Sequence, residues 1–352
     1  MTTQLLLGND AIALGMVQNN CRVVTAYPGT PSSEILAGVV KFKKQLNREI
    51  YTEWSANEKV AFEIALAASW SGLRAATTMK QVGLNVAADP LFSAAYTGVV
   101  GGFVIVTCDD PGPQSSQTEQ DSRLMALTAK VPVFDPATPA EALAMMQAAF
   151  ELSERHRIPV IFRPTTRVCH AVQSVDVNGS TPNPLLAAKT GFKKDPQRWA
   201  ATPAFRLKLH HELNAKLQAI EAEFETSPLN FINRSDAETD RKLGLIAGGV
   251  TYQVALQALA ELGVRVPVMK IGTPYPLPRK KVAEFIAQFD QVLVLEEPDA
   301  CIELQIADRT HVTGRLDYAV PNAGELSPEV ISAVLATVLK KVGVTVPPPP
   351  DD

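Results

Sequence analysis

Cysteine and histidine are scarce in this chain, and neither is spaced to hold a metal. Among 352 residues there are four cysteines, Cys21, Cys108, Cys169 and Cys301, with no C-x-x-C pair. That scatter argues against an iron–sulfur or zinc site built by this chain alone, and against a disulfide framework. Structural thiols are expected, and with them a cytoplasmic location. The five histidines (His156, His170, His210, His211 and His311) show no metal-ligand spacing. No apolar run reaches the ~18 residues of a membrane span. The N-terminus lacks the basic region and apolar core of a signal peptide. A formal net charge of −4 leaves no basic footprint for nucleic acid or membrane. The signatures G-x-G-x-x-G and G-x-x-x-x-G-K-[ST] are also missing, so the glycine turn Ala247-Gly-Gly-Val250 is weak ground for a nucleotide.

What remains is the composition of an ordinary globular protein, 46% hydrophobic and 20% charged, long enough for two domains of about 150 residues each. Over residues 1–172, short β-branched runs at 23–26, 75–79, 103–107 and 159–162 alternate with helical stretches at 10–20, 31–46, 57–70, 87–96 and 139–155. Such alternation predicts a parallel sheet covered by helices, with ligands bound where strand ends meet helix N-termini. Residues 173–241 contain Asn178-Gly179 and a charged stretch at 203–225, and read as a connector with its own helices. The α/β rhythm returns over 242–343, with strands in 243–250, 264–271 and 291–296, a helix at 251–262 and a proline-rich loop at 273–278. Residues 344–352 read as a polar, proline-rich tail. The expected fold is α/β, two parallel-sheet domains joined by a helical connector.

The helix at 57–70 is apolar on almost every side, and a helix apolar all round is buried. Glu58 in its first turn and Glu63 in its middle therefore need a reason to be there. Ser55-Ala-Asn-Glu58 supplies one, a capping box in which hydroxyl and carboxylate satisfy each other's backbone donors. A first-turn acid can face a pocket as well. Glu63 can pair with an Arg or Lys of another element.

The other candidates fall in strand-to-helix loops. In Tyr27-Pro-Gly-Thr30-Pro31, Thr30 reads as an N-cap with Pro31 at the first helical position, and the free N–H groups there suit a substrate carboxylate. Lys80 is an anion contact or a solvated charge. Beside it stand Gln81, Gly83, which permits a close backbone approach, and Asn85, read as a cap for the next helix. The sixteen residues from Cys108 to Arg123 lack periodicity, as binding loops do. Arg123 either grips a carboxylate bidentately or pairs with Asp121 or Asp109. Glu296-Glu297-Pro298-Asp299 reads as a solvated or interface acidic cluster.

Taken in order, Tyr27-Pro-Gly-Thr-Pro-Ser-Ser-Glu34, Asn57-Glu58-Lys59, Met79-Lys-Gln-Val-Gly-Leu-Asn-Val-Ala-Ala-Asp-Pro90 and Ser115-Ser-Gln-Thr-Glu-Gln-Asp-Ser-Arg123 resemble one family. It is the thiamine-diphosphate-dependent 2-oxoacid:ferredoxin oxidoreductases, and within it the indolepyruvate ferredoxin oxidoreductase α subunits. The likeness continues through Lys194-Asp-Pro-Gln-Arg-Trp199, Ser227-Pro-Leu-Asn230 and Tyr275-Pro-Leu-Pro278 to Val294-Leu-Glu-Glu297.

The resemblance implies that 1–172 is a pyrimidine-binding domain and 242–343 a transketolase C-terminal-like domain. It places Glu58 on the cofactor glutamate, whose carboxyl against N1′ of the aminopyrimidine favours the imino tautomer that removes the thiazolium C2 proton. A water-poor pocket strengthens that bond. Gly83 and Asn85 fall beside the cofactor. Thr30 and Arg123 fall on substrate-carboxylate positions, with Lys80, Gln81 and Gln114 nearby. The indolepyruvate enzymes compared tend to carry histidine where this chain has Gln81 and Gln114, and glutamine cannot shuttle a proton near neutral pH.

The chain also lacks the Gly-Asp-Gly and distant Asn that hold the diphosphate through a metal in that superfamily. The resemblance therefore implies half of a thiamine diphosphate site. The other half, with Mg2+, comes from a diphosphate-binding partner subunit or from sequence removed from this chain. Iron–sulfur clusters belong to a ferredoxin-like partner, and a gamma-type subunit is a further candidate. The implied reaction is oxidative decarboxylation of a 2-oxoacid, of aryl type first, to an acyl-CoA or acid. Non-oxidative decarboxylation and a scaffold subunit are the alternatives.

Overall fold

The near-continuous apolar runs become parallel strands because both of their faces are covered, as in the centre of an α/β sheet. In the computed structural model, which describes residues 3–177, 191–200, 202–233, 241–344 and 346, the first domain holds strands β1 (Thr3–Leu7), β2 (Val23–Ala26), β3 (Tyr51–Trp54), β4 (Ala75–Lys80), β5 (Phe103–Cys108), β6 (Val133–Phe134), β7 (Val160–Phe162) and β8 (Val172–Asp176). Its helices are α1 (Gly8–Gln18), α2 (Ser33–Gln45), α3 (Glu58–Trp70), α4 (Gln81–Val86), α5 (Ala88–Thr97), α6 (Ser122–Ala129), α7 (Pro139–His156) and α8 (Thr166–His170). Six strands form a sheet in the order β3-β2-β4-β5-β7-β6, parallel throughout. Central β5 is buried at every residue. β1 and β8 pair separately as an antiparallel ribbon.

Segment 173–241 is less a connector than a set of additions to its neighbours. After β8 it supplies α9 (Pro196–Trp199), α10 (Pro203–Thr226) and β9 (Asn230–Asn233). α10 buries Leu209, Leu213, Ile220 and Phe224 along one stripe, and Phe224 meets Phe134 edge-on at 6.0 Å. β9 joins antiparallel to the second sheet. Asn178-Gly179 and residues 347–352 of the proline-rich tail lie outside the described residues.

The second domain comprises β10 (Leu243–Gly248), α11 (Thr251–Glu261), β11 (Val268–Ile271), α12 (Arg279–Ile286), β12 (Gln291–Leu295), β13 (Val312–Thr313) and α13 (Pro328–Lys341). Its sheet order is β13-β12-β10-β11-β9. The two domains are joined by backbone as well as side chains. Val133 N–H donates to Tyr275 O at 2.8 Å and Asp135 N–H to Gly272 O at 2.8 Å, so the proline-rich loop lies along β6.

Three helix starts differ from the local sequence pattern. α2 begins at Ser33 after Ser32, leaving Thr30 and Pro31 in the preceding loop. α3 is capped by Asn57, whose side chain accepts the Val60 N–H at 2.9 Å. Ser55 instead donates its hydroxyl to Glu53 at 2.9 Å, so the Ser55–Glu58 capping box does not form. Asn85 lies inside α4 and caps nothing. Nor is α3 buried all round, since Glu63 and Ala67 are exposed. Its alanine content disguised a face left open to solvent.

Candidate functional site

Strands β2, β3, β4 and β5 all release their chains at one edge of the sheet, the edge where α/β domains bind ligands. That edge collects Thr30, Glu58, Lys80 with Gln81, and the loop 109–121.

Glu58 stands at the first position of α3 because Asn57 has taken the cap. Its side chain is 9% exposed. Among the described residues no donor or cation pairs with its carboxylate, an uncommon state for an acid so covered. Gly83 lies directly against it. A Cβ added at Gly83 would stand 2.5 Å from Oε1 and 2.7 Å from Cγ of Glu58. Only glycine lets α4 pass this close, so the position of the carboxylate and the residue at 83 are one feature.

The loop 109–121 closes the edge from the other side. Asp110 organises it, accepting the N–H groups of Gln114 and Ser115 at 3.0 Å each and the Ser116 hydroxyl at 2.8 Å. Thr166 donates to its other oxygen at 2.8 Å. Burial works to raise the Asp110 carboxyl, but these donors hold it below its ordinary value. The outward residues of the loop meet most of the sequence candidates. Ser115 donates its hydroxyl to Thr30 O at 3.2 Å, and Lys80 Nζ donates to Ser115 O at 3.2 Å. Gln81 Nε2 reaches Thr118 O at 3.5 Å, and Asn85 Nδ2 donates to Gln120 Oε1 at 2.9 Å. Gln114 projects an exposed side chain from the same loop.

Arg123 is not at this surface. It is fully buried, with Nε and Nη2 forked on Asp121 at 2.9 and 2.6 Å. Nη1 lies 3.2 Å from Glu296, and Nη2 donates to the carbonyls of Glu297 at 2.8 Å and Asp299 at 2.9 Å. Of the two readings of Arg123, the pair with Asp121 forms, and the guanidinium is buried away from the strand-end surface. Asp109 pairs with Arg163 at 2.7 Å, a residue the sequence patterns did not single out. Arg163 also donates to Glu297 O at 2.9 Å.

The acidic cluster is an interface, with Glu296 and Glu297 buried and Asp299 half-buried at its rim. Glu296 is wholly buried and accepts three backbone N–H groups, from Cys301, Ile302 and Glu303. Burial pushes its carboxyl up to about 7, against the opposing pull of Arg123. Gly249, at φ +53°, brings the glycine turn against Asp135, where a Cβ would fall 2.7 Å from Oδ1. That turn serves the domain interface and offers no phosphate cradle. Among the described residues no cluster of His, Cys, Asp or Glu could hold a metal.

Two α/β domains with an acid at the strand-end edge of the first define a ligand-binding α/β protein, and comparison with known proteins gives the family. The chain belongs to the family described as pyruvate flavodoxin/ferredoxin oxidoreductase, thiamine diphosphate-binding, which it matches over residues 14–223. Residues 233–346 match the indolepyruvate oxidoreductase domain. Indolepyruvate oxidoreductase subunit IorA of Thermococcus kodakarensis is 46% identical over 306 residues, covering 86% of this chain and 46% of that protein. The IorA subunit of Methanothermobacter marburgensis is 42% identical over 338 residues, covering 94% of this chain and 54% of that protein. The chain thus spans about half the length of these relatives. A solved 2-oxoglutarate:ferredoxin oxidoreductase from Magnetococcus marinus superposes with a TM-score of 0.72 at 18% identity, over 96% of this chain and 65% of that one. That likeness is one of fold.

Proposed function

We propose that this chain is the α-type, pyrimidine-binding part of a multi-subunit 2-oxoacid oxidoreductase, with an aryl 2-oxoacid such as indolepyruvate as substrate. The observation that carries the reading is Glu58, a buried residue whose carboxylate has no protein partner among the described residues, with Gly83 cleared to let it stand there. An acid in that state fits the nitrogen edge of an aminopyrimidine. It gains a partner it otherwise lacks, and low local polarity strengthens the bond. Bound there, thiamine diphosphate would supply a carbon nucleophile for the 2-oxo carbon.

The chain's own residues then divide the work. Glu58 holds a proton at the pyrimidine nitrogen, α4 presents Gly83 and Asn85 beside the ring, and the loop 109–121 keeps water from the edge. Thr30, Lys80 and Gln114 line the approach, where the Lys80 ammonium suits a carboxylate, and Gln81 lies buried beneath the loop. Arg123 acts from behind by fixing the end of that loop. The diphosphate with its Mg2+, and the iron–sulfur centres that accept electrons, are assigned to protein outside these residues, on a partner subunit or on the part of the relatives' length that this sequence does not span. Gln81 and Gln114 in place of histidine favour a second reading, a subunit that shapes the site while a partner moves the remaining protons.

Purification of the chain from its native host, with mass spectrometry and cofactor analysis, tests the proposal. Recovery with a diphosphate-binding subunit, an iron–sulfur subunit and thiamine diphosphate supports it. Recovery as a lone chain without cofactor contradicts it.

A further inference from the structure

Glu119 lies in the middle of the loop 109–121, half-buried, and its contacts cross between the domains. Oε1 accepts the Gly112 N–H at 2.7 Å and the Gly324 N–H at 3.0 Å, and Oε2 accepts the same Gly324 N–H at 3.0 Å. One carboxylate thus ties the near end of the loop to the second domain. The two backbones touch where it binds them. A Cβ at Gly112 would stand 3.1 Å from the Glu325 nitrogen, and both glycines have positive φ, +60° and +83°. The far anchor is itself held. Arg315 donates to Gly324 O at 3.2 Å and to Glu296 O at 2.6 Å, and Arg167 pairs with Glu325 at 2.6 Å.

The neighbours of Glu119 face the other way. Thr118 accepts from Gln81 and Gln120 from Asn85, both on α4. On the near side Asp110 gathers Gln114 and Ser115, and Ser115 meets Thr30 and Lys80. A bond at Glu119 therefore fixes the height of the loop over α4 and over the residues assigned to substrate.

We infer that Glu119 is a positioning residue. It lets the second domain hold the loop in its binding-competent place, so substrate capture depends on both domains. The part of this inference that concerns substrate rests on the function proposed above, and the clamp itself does not.

Amide hydrogen exchange on the full chain reads the clamp without cofactor or substrate. In Glu119→Ala, protection at Gly112 and Gly324 should fall by at least about tenfold, the scale of a lost charge-assisted hydrogen bond, while β4 and β5 keep theirs. Glu119→Gln keeps the shape and one acceptor oxygen, and should fall between. In the reconstituted complex, Glu119→Gln should raise KM for the 2-oxoacid and leave kcat within about twofold, as expected when only binding is lost. Unchanged exchange in Glu119→Ala overturns the clamp. Faster exchange with unchanged KM overturns the positioning role, and neither result touches Glu58.

Discussion

The carboxylate of Glu58 passes so close to Gly83 that a single added carbon at residue 83 would lie 2.5 Å from its Oε1 atom. The acid opens α3 and the glycine sits in α4, so the first turns of two helices are fitted to each other around one side chain. Gly83→Ala should force the carboxylate aside. Overpacking of this kind costs about 1–3 kcal/mol in stability, and the larger effect expected is on cofactor. Titration calorimetry of the reconstituted complex should show thiamine diphosphate binding weakened by at least about tenfold, or 1.4 kcal/mol. Unaltered affinity would mean that the carboxylate does not meet the cofactor.

Arg123 is a joint between domains, and its loss should be read in unfolding. Arg123→Met strands Asp121 and Glu296, both fully buried partners. Breaking a buried pair from one side costs about 3–5 kcal/mol, measurable by urea denaturation of the full chain. Lys59→Ala provides the contrast, since its pair with Asp89 at 2.8 Å is exposed and solvent screens it, so its loss should barely move the unfolding midpoint. Equal losses in the two variants would remove Arg123 from the interface account.

Glu297 should give stability an inverted pH dependence. Its Oε2 accepts the Leu326 N–H at 2.8 Å, while buried Oε1 has no partner. Burial pushes the carboxyl from 4.5 up to about 6. The native state therefore holds the proton more tightly than the unfolded chain. The stabilisation is full below pH 4.5 and is lost as pH rises through about 6. A shift of that size is worth about 2 kcal/mol. The difference in unfolding free energy between wild type and Glu297→Gln should change by that amount between pH 4.5 and about 7, and parallel curves would refute it.

Much of the fold could be read from the chain because parallel strands are written as apolar runs. The stretches at 23–26, 103–107 and 251–262 lie where β2, β5 and α11 form. Helix starts were less legible, because a cap is decided by competition among neighbours. Ser55 matches the capping box, yet its hydroxyl serves Glu53 at the end of β3 and Asn57 takes the cap. α6 was hidden at the end of a polar loop, where Asp121 both caps the helix and pairs with Arg123.

The candidate site divides in the same way. Thr30, Lys80 and Gln81 follow the runs at 23–26 and 75–79, which periodicity reveals, while the strand order β3-β2-β4 that sets them beside Glu58 is a tertiary fact. Arg163, Glu296 and Glu297 carry no local sign of burial, since what covers them is a domain interface assembled from segments distant in sequence. Glu119 resembles any solvated loop acid until the second domain is placed beside it.

Turnover of the reconstituted complex carrying Glu58→Gln measures the assigned role most directly. The substitution keeps the side chain's shape and removes only the acid. Loss of a positioned acid–base group should lower kcat by about 100-fold to 10,000-fold, with the chain still folded and still bound to its partners. Turnover near that of the wild type would contradict the assignment of Glu58.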